Sequence, residues 1–264
     1  VEFFSPAPDF SDTKLQLRAG FKTGSFGVIN PFANAGFKLS TRTMAGVTAD
    51  YNHTRGDYPF VLKNGNLPDT TLRRTNAEME SVNLVFRMET RYSDSSKLKV
   101  RLSYYASKRG LPGAVIYYNP YSVQRLNNND FYGNVQYQVQ RRKLKLLTNL
   151  NFSDSRLHYR DPAYLNNSGG LDNQYNQQEY YASQALSWSP GRIISMGAAG
   201  DIVVNGLQTD LYQTGNPLRY SGMGSLSLRA KTRRTEATAI LLATAVNESA
   251  PGKDKSLNTA FTPS

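Results

Sequence analysis

The chain has 264 residues, 39% of them hydrophobic and 19% charged, with a net charge of +11 and no cysteine. No run approaches the roughly 18 apolar residues of a membrane-spanning helix, and without cysteine there is neither a disulfide scaffold nor a thiolate metal site. A membrane is still open to it, because a barrel strand needs only about 9–11 residues, half of them polar.

Taken in chain order, the sequence is dominated by period-2 alternation, the mark of a strand with one dry and one wet face. The apolar phase runs Leu15–Leu17–Ala19–Phe21, then Ala33–Ala35–Phe37–Leu39, then Thr43–Ala45–Val47–Ala49–Tyr51. It continues through Val82 to Thr90, Leu98 to Ala106, Phe131 to Val139 and Leu144 to Phe152. Further strands are predicted at Tyr180–Trp188, Ile194–Val204 and Tyr220–Ala230. An eleventh, near Thr235–Val246, is apolar on both faces and its phase is open.

None of the dry positions in the first ten strands carries a charge, whereas the alternate phase holds Lys or Arg in most strands. Placing a charge against lipid costs about 2–4 kcal/mol at the bilayer midplane. A sandwich core would also exclude charge, so the connections have to discriminate. Those at 40–43, 93–96, 141–143, 189–192 and 232–234 are tight, while those near 53–77, 108–130, 154–176 and 206–219 are long; only 24–30 breaks the rule. Alternation of short and long links puts all tight turns at one end of an up-and-down sheet, as in outer-membrane barrels with short periplasmic turns. Greek-key sandwiches have no reason to show it. Phe21, Tyr51, Tyr92, Phe152, Tyr180, Trp188 and Tyr220 lie near strand ends on the dry face, where an interfacial girdle would hold them.

The expectation is an all-β, antiparallel, up-and-down transmembrane barrel. Eleven strands do not make the even number of a closed bacterial barrel, and an open edge is not viable in lipid. The chain is therefore expected to be part of a longer protein, exported to the outer membrane of a Gram-negative bacterium, its leader lying upstream.

The segments SKRGLPGAVIYYNPYSVQRLNNND (107–130), NHTRGDYPFVLKNGN (52–66) and LRRTNAEMES (72–81) resemble the TonB-dependent outer-membrane receptors of Bacteroides-group bacteria, closest to their cobalamin receptor-like branch. The resemblance implies a 22-stranded barrel behind an N-terminal plug, of which this chain would supply about eleven strands without the plug. It divides the chain into a link from the plug (1–13), the first half-barrel (14–247) and the start of an extracellular loop (248–264). It further implies TonB-energised uptake of a scarce large solute, a corrinoid or a siderophore. Its partners would be membrane lipid, the plug, the TonB complex and a surface lipoprotein. A passive porin or structural barrel is the alternative.

Arg109, Tyr117, Tyr118, Tyr121 and Arg125, all within 108–130, combine ring surface with charged donors and form the main ligand-binding candidate. Asp57, Tyr58 and Phe60 in GDYPF are a second set, and Tyr159, Asp161 and Tyr164 a third. For each the plainer reading is turn formation and loop packing. His53 and His158 lack ligand-spaced neighbours in the sequence, and neither a GxSxG elbow nor a phosphate-binding glycine loop occurs, so no catalytic residue, metal site or cofactor is expected. The basic excess is distributed, many of its members (Arg42, Lys97, Lys99, Arg141, Arg142, Lys143, Arg192, Lys231, Arg233, Arg234) lying in or beside the tight turns rather than in an aromatic-lined stripe, which speaks against nucleic acid.

Overall fold

A computed structural model describes residues 14–63, 65, 68–114, 122–164, 169–210, 216–249 and 256–263, the last segment by its backbone alone. Twelve strands form one sheet in which every neighbour is the next main strand along the chain. They are β1 (Leu15–Gly24), β2 (Val28–Lys38), β3 (Thr43–Thr54), β6 (Met79–Ser93), β7 (Ser96–Leu111) and β8 (Gln124–Gln140). The series continues with β9 (Leu144–Asp161), β10 (Leu171–Trp188), β11 (Ile194–Thr209), β12 (Leu218–Lys231), β13 (Glu236–Ser249) and β14 (Ser256–Pro263). A separate two-stranded ribbon, β4 (Pro59–Leu62) with β5 (Thr70–Arg73), rises from the connection between β3 and β6. All pairings are antiparallel, as expected of an up-and-down barrel wall.

The register answers what the dry face touches. Val47 pairs with Phe86, Phe86 with Leu102, Leu102 with Gly133 and Gly133 with Phe152. From there the row passes to Tyr180, Val204 and Tyr220. Because directly paired residues share a face, the apolar phases of all the strands join into one surface. The same pairing fixes the open phase of β13: Ala239, Leu241, Ala243 and Ala245 stand opposite the apolar residues of β12.

Among the described residues nothing covers that surface. Leu17 (71%), Phe21 (61%), Ile202 (62%) and Leu226 (58%) are among many large apolar side chains left exposed. Met44, Ala45 and Val85 are the only buried apolar side chains among the described residues. A soluble sandwich would lay a second sheet on such a face; an exposed apolar belt of this extent requires another solvent. The fold is a partial transmembrane β-barrel with its apolar face toward lipid.

The opposite face is wet and cross-linked by polar side chains. Asn83 donates to Asp50 (2.8 Å), Gln136 to Asn149 (2.9 Å), Asn149 to Ser183 (3.2 Å) and Tyr181 to Asp201 (2.7 Å). Tight turns are closed by their own hydroxyls: Ser93 Oγ contacts Ser96 Oγ (2.8 Å), and Thr232 Oγ1 accepts from the Thr235 amide (3.0 Å). Short polar side chains that bond the nearby backbone favour turns for this reason.

On the lipid face Phe131, Phe152 and Tyr180 form an aromatic row, with ring centroids 6.0 and 5.0 Å apart. Trp188 marks the other border on β10. Eight residues separate Tyr180 from Trp188, about 20 Å along the membrane normal for strands rising ~3.3 Å per residue and tilted ~40°. That suits the apolar band of an outer membrane.

Two expectations change. The strands are longer than their apolar phases, so the segments 108–130 and 154–176 are largely strand: β7 reaches Leu111, β8 starts at Gln124, β9 reaches Asp161 and β10 starts at Leu171. Above the aromatic row both faces are polar, and hydropathy alternation loses its contrast although the backbone ladder continues. The sheet also has a twelfth strand, Ser256–Pro263, within the stretch 248–264 expected to begin a loop.

The facing makes a sharp prediction. Val100 lies between Met88 and Val135 on the lipid face, whereas Arg101 faces the lumen directly opposite Arg87. Val100→Arg is expected to cost about 2–4 kcal/mol on refolding into lipid vesicles. Arg101→Ser should be tolerated, because it relieves a cross-strand pair of like charges. Equal sensitivity at the two positions would contradict the assigned face.

Candidate functional site

The polar strand extensions and the β4–β5 ribbon together build the end of the wall opposite the tight turns. The ribbon is tied down at both strands. Arg73 donates to the Asp57 carbonyl (2.9 Å) and pairs with the Asp57 carboxylate (3.3 Å), and the Arg74 amide donates to the Tyr58 carbonyl (2.9 Å). Tyr58 meets Phe26 edge-on, centroids 5.9 Å apart.

Arg74 is the centre of this junction. It is only 7% exposed, its guanidinium lies 5.5 Å from the centroid of the Phe60 ring, and its Nη2 donates to the Gly113 carbonyl. Nε and Nη1 are buried without a hydrogen-bond partner, so the cation–π contact and the Gly113 bond hold a costly buried charge in place. Two residues on, Asn76 adopts a left-handed backbone (φ 55°) and its amide donates to the carbonyls of Leu111 (2.9 Å) and Gln124 (2.8 Å). One side chain thus clamps the outer ends of β7 and β8. The clamp needs Gly110, where a Cβ would lie 2.4 Å from the Asn76 carbonyl oxygen.

These contacts sort the sequence candidates. Asp57, Tyr58 and Phe60 are engaged in building the ribbon and seating Arg74. Arg109 and Arg125 do not lie in a loop as expected: they stand on β7 and β8 and face opposite ways, because Arg109 pairs with Leu126 while Arg125 pairs with Gly110. Arg109 faces the lumen and donates to Asn128 (3.4 Å), with its Nε buried and unpartnered. Arg125 is on the lipid-face phase and ion-paired with Glu78. The five-residue cluster therefore divides, and its Tyr117, Tyr118 and Tyr121 lie outside the described residues.

Beside Arg109 the luminal wall carries Asn128, Asp161 and Gln124, with Gln124 donating to Asp161 (2.8 Å) and the Ala163 amide donating to the same carboxylate (3.1 Å). Asp161 is 8% exposed. Sequence reasoning missed Arg74 and Asn76; the only signal was their place in LRRTN, just past a four-residue alternation. His53 and His158 have carboxylates across the sheet, Glu80 at 3.5 Å and Asp172 at 2.5 Å, that no sequence spacing could show. No grouping of three metal-ligating side chains occurs among the described residues. What the arrangement offers chemically is a set of charged and amide hydrogen-bonding groups on the luminal face.

With this geometry in place, the fold can be compared with solved structures. The FrpB iron transporter from Neisseria meningitidis (F3-3 variant) superposes with a TM-score of 0.74 at 10% identity, over 96% of this chain and 43% of that one. The copper transporter OprC gives 0.66 at 9% identity, over 94% and 41%. The siderophore receptor PiuA from Acinetobacter baumannii gives 0.58 at 9% identity, over 96% and 46%. The chain thus spans less than half the length of these proteins, and at such identities the likeness is one of fold. No family model and no curated protein matches the sequence.

Two expectations follow from the junction. Gly110→Ala should displace Asn76 and loosen the outer ends of β7 and β8 at a cost of about 1–3 kcal/mol, leaving the membrane part folded. Hydrogen exchange would show faster amides at the strand ends, with unchanged heat-modifiable migration on gels.

The second concerns pH. Burial would raise the Glu78 carboxyl, but the hydrogen bond from Arg125, a backbone hydrogen bond and the Arg125 charge outweigh it and leave it below its ordinary value of 4.5. A depressed acid contributes above its unfolded pKa and loses that contribution as pH falls through the lower folded one. The Glu78–Arg125 tie should therefore hold at neutral pH and be lost as pH falls below the ordinary carboxylate range, at a cost of only ~0–1 kcal/mol because both groups are exposed. A carboxyl titration of Glu78 by NMR should shift up toward 4.5 in Arg125→Ala.

Proposed function

We propose that the chain is part of a ligand-gated outer-membrane receptor that takes up a scarce large solute with energy from TonB. The observation that carries this reading is the pairing of a lipid-facing belt with a charged, hydrogen-bonded inner wall that ends in a rigid, structured rim. Three proteins with this fold are named for iron, copper and siderophore uptake, which favours a metal-bearing chelate as cargo. Siderophores and corrinoids both belong to that class, the corrinoid being the cargo to which the Bacteroides-type resemblance points.

Function here is capture and gated passage, with no bond made or broken. Arg109, with Asn128 beside it, supplies donors on the inner wall, and Tyr117, Tyr118 and Tyr121 of the adjoining segment are the proposed ring surface. A plug domain would complete the site and couple it to the TonB complex, and a surface lipoprotein would assist capture.

In the intact protein, alanine replacement of Tyr117, Tyr118 and Tyr121 together should weaken binding of the transported chelate at least tenfold, about 1.4 kcal/mol. Uptake of labelled cobalamin and of ferric siderophores, with and without a functional TonB complex, identifies the cargo. Uptake that persists without TonB would mean a passive pore instead.

A further inference from the structure

A groove of about 1120 Å³ crosses β3 and β6 to β11 near their extracellular ends. Most of its lining residues belong to the lipid-face phase of the strands. Glu80, Lys108, Asn127 and His158 occupy the same alternation as Val82, Ala106, Phe131 and Phe152. The groove therefore opens on the outside of the wall and not into the lumen.

Its level is set by the aromatic row. Tyr104 lies in it and pairs with Phe131, and Tyr51 and Val82 line its lower edge. Above them come the amides of Asn127, Asn129, Asn176 and Gln208 and the cations Lys108 and Arg156. Lys108 has no ion pair among the described residues, and Arg156 is tied only to Asp154 at its margin (2.9 Å). The acids facing the groove are already engaged, Glu80 beside His53 (3.5 Å) and Asp210 accepting from the Gln174 amide (3.0 Å).

We infer that this groove seats the phosphorylated sugar headgroup of an outer-leaflet glycolipid. Side-chain amides both donate and accept, as ring hydroxyls require, and lysine and arginine match phosphate. The groove is continuous with the lipid-facing belt, so an occupant there has its acyl chains on the apolar wall below. A protein partner would want central aromatic anchors, and here the aromatics on the lipid-face phase, Tyr51 and Tyr104, sit at the lower edge. The inference rests on the membrane reading of the belt.

The test uses the intact protein reconstituted in phosphatidylcholine vesicles doped with lipopolysaccharide or, at equal charge, with phosphatidylglycerol. Native mass spectrometry after gentle detergent release should find lipopolysaccharide retained, and phosphatidylglycerol should not displace it. Lys108→Gln with Arg156→Gln should lower retention at least tenfold, and so should Asn127→Ala with Asn176→Ala, a pair that keeps the charges should the first fail to fold. Equal retention by a folded variant, displacement by phosphatidylglycerol, or a second copy of the protein found on this face would each overturn the inference. Failure to insert into any vesicle would instead sink the membrane reading.

Discussion

At membrane depth a backbone amide or carbonyl has no water to turn to, so each must find its partner on the next strand. That requirement organises the whole molecule. It makes each main strand pair with the next along the chain, it forbids slippage because one step would turn every side chain to the other face, and it holds the apolar phases of β1 to β3 and β6 to β13 in a single surface. Side-chain chemistry then follows from position: uncharged toward lipid, hydrogen-bonded toward the lumen.

The extracellular end obeys a different constraint. There the ladder is no longer enforced by lipid, and the wall is finished by specific contacts. A buried guanidinium at Arg74 and a carboxamide at Asn76 replace apolar packing. Gly110 leaves room for Asn76, and Arg74 reaches the main-chain carbonyl of Gly113. Such polar junctions specify one arrangement, since a half-satisfied alternative would leave charge stranded.

The spanning part was legible in the sequence because lipid imposes contrast. Leu98, Val100 and Leu102 alternate with Lys99 and Arg101, and the structure pairs them as that alternation demands. The upper halves of β8 and β10 were not legible: runs such as NNND and NQYNQQEY have wet residues on both faces, so a strand there looks like a loop. The candidate ligand set divides between the two faces for a related reason. Proximity along the chain put Arg109 and Arg125 together, but extended backbone sends residues of opposite parity to opposite sides, and only the pairing register reveals which side. The rim contacts of Arg74 and Asn76 depend on a ribbon folding back over residues some 35 to 48 positions away, which local pattern cannot encode.

The length of the strands has a consequence for how a solute is met. At 18 residues, β9 and β10 reach about 60 Å along their axes, or ~45 Å along the normal, far more than the apolar band. The excess stands above the bilayer as a stiff collar. A surface already held by ladder bonds loses little conformational entropy when something docks on it, unlike a set of loose loops that must be gathered. Anything that docks on the collar would therefore be held by fit and charge, with little ordering of the wall on contact.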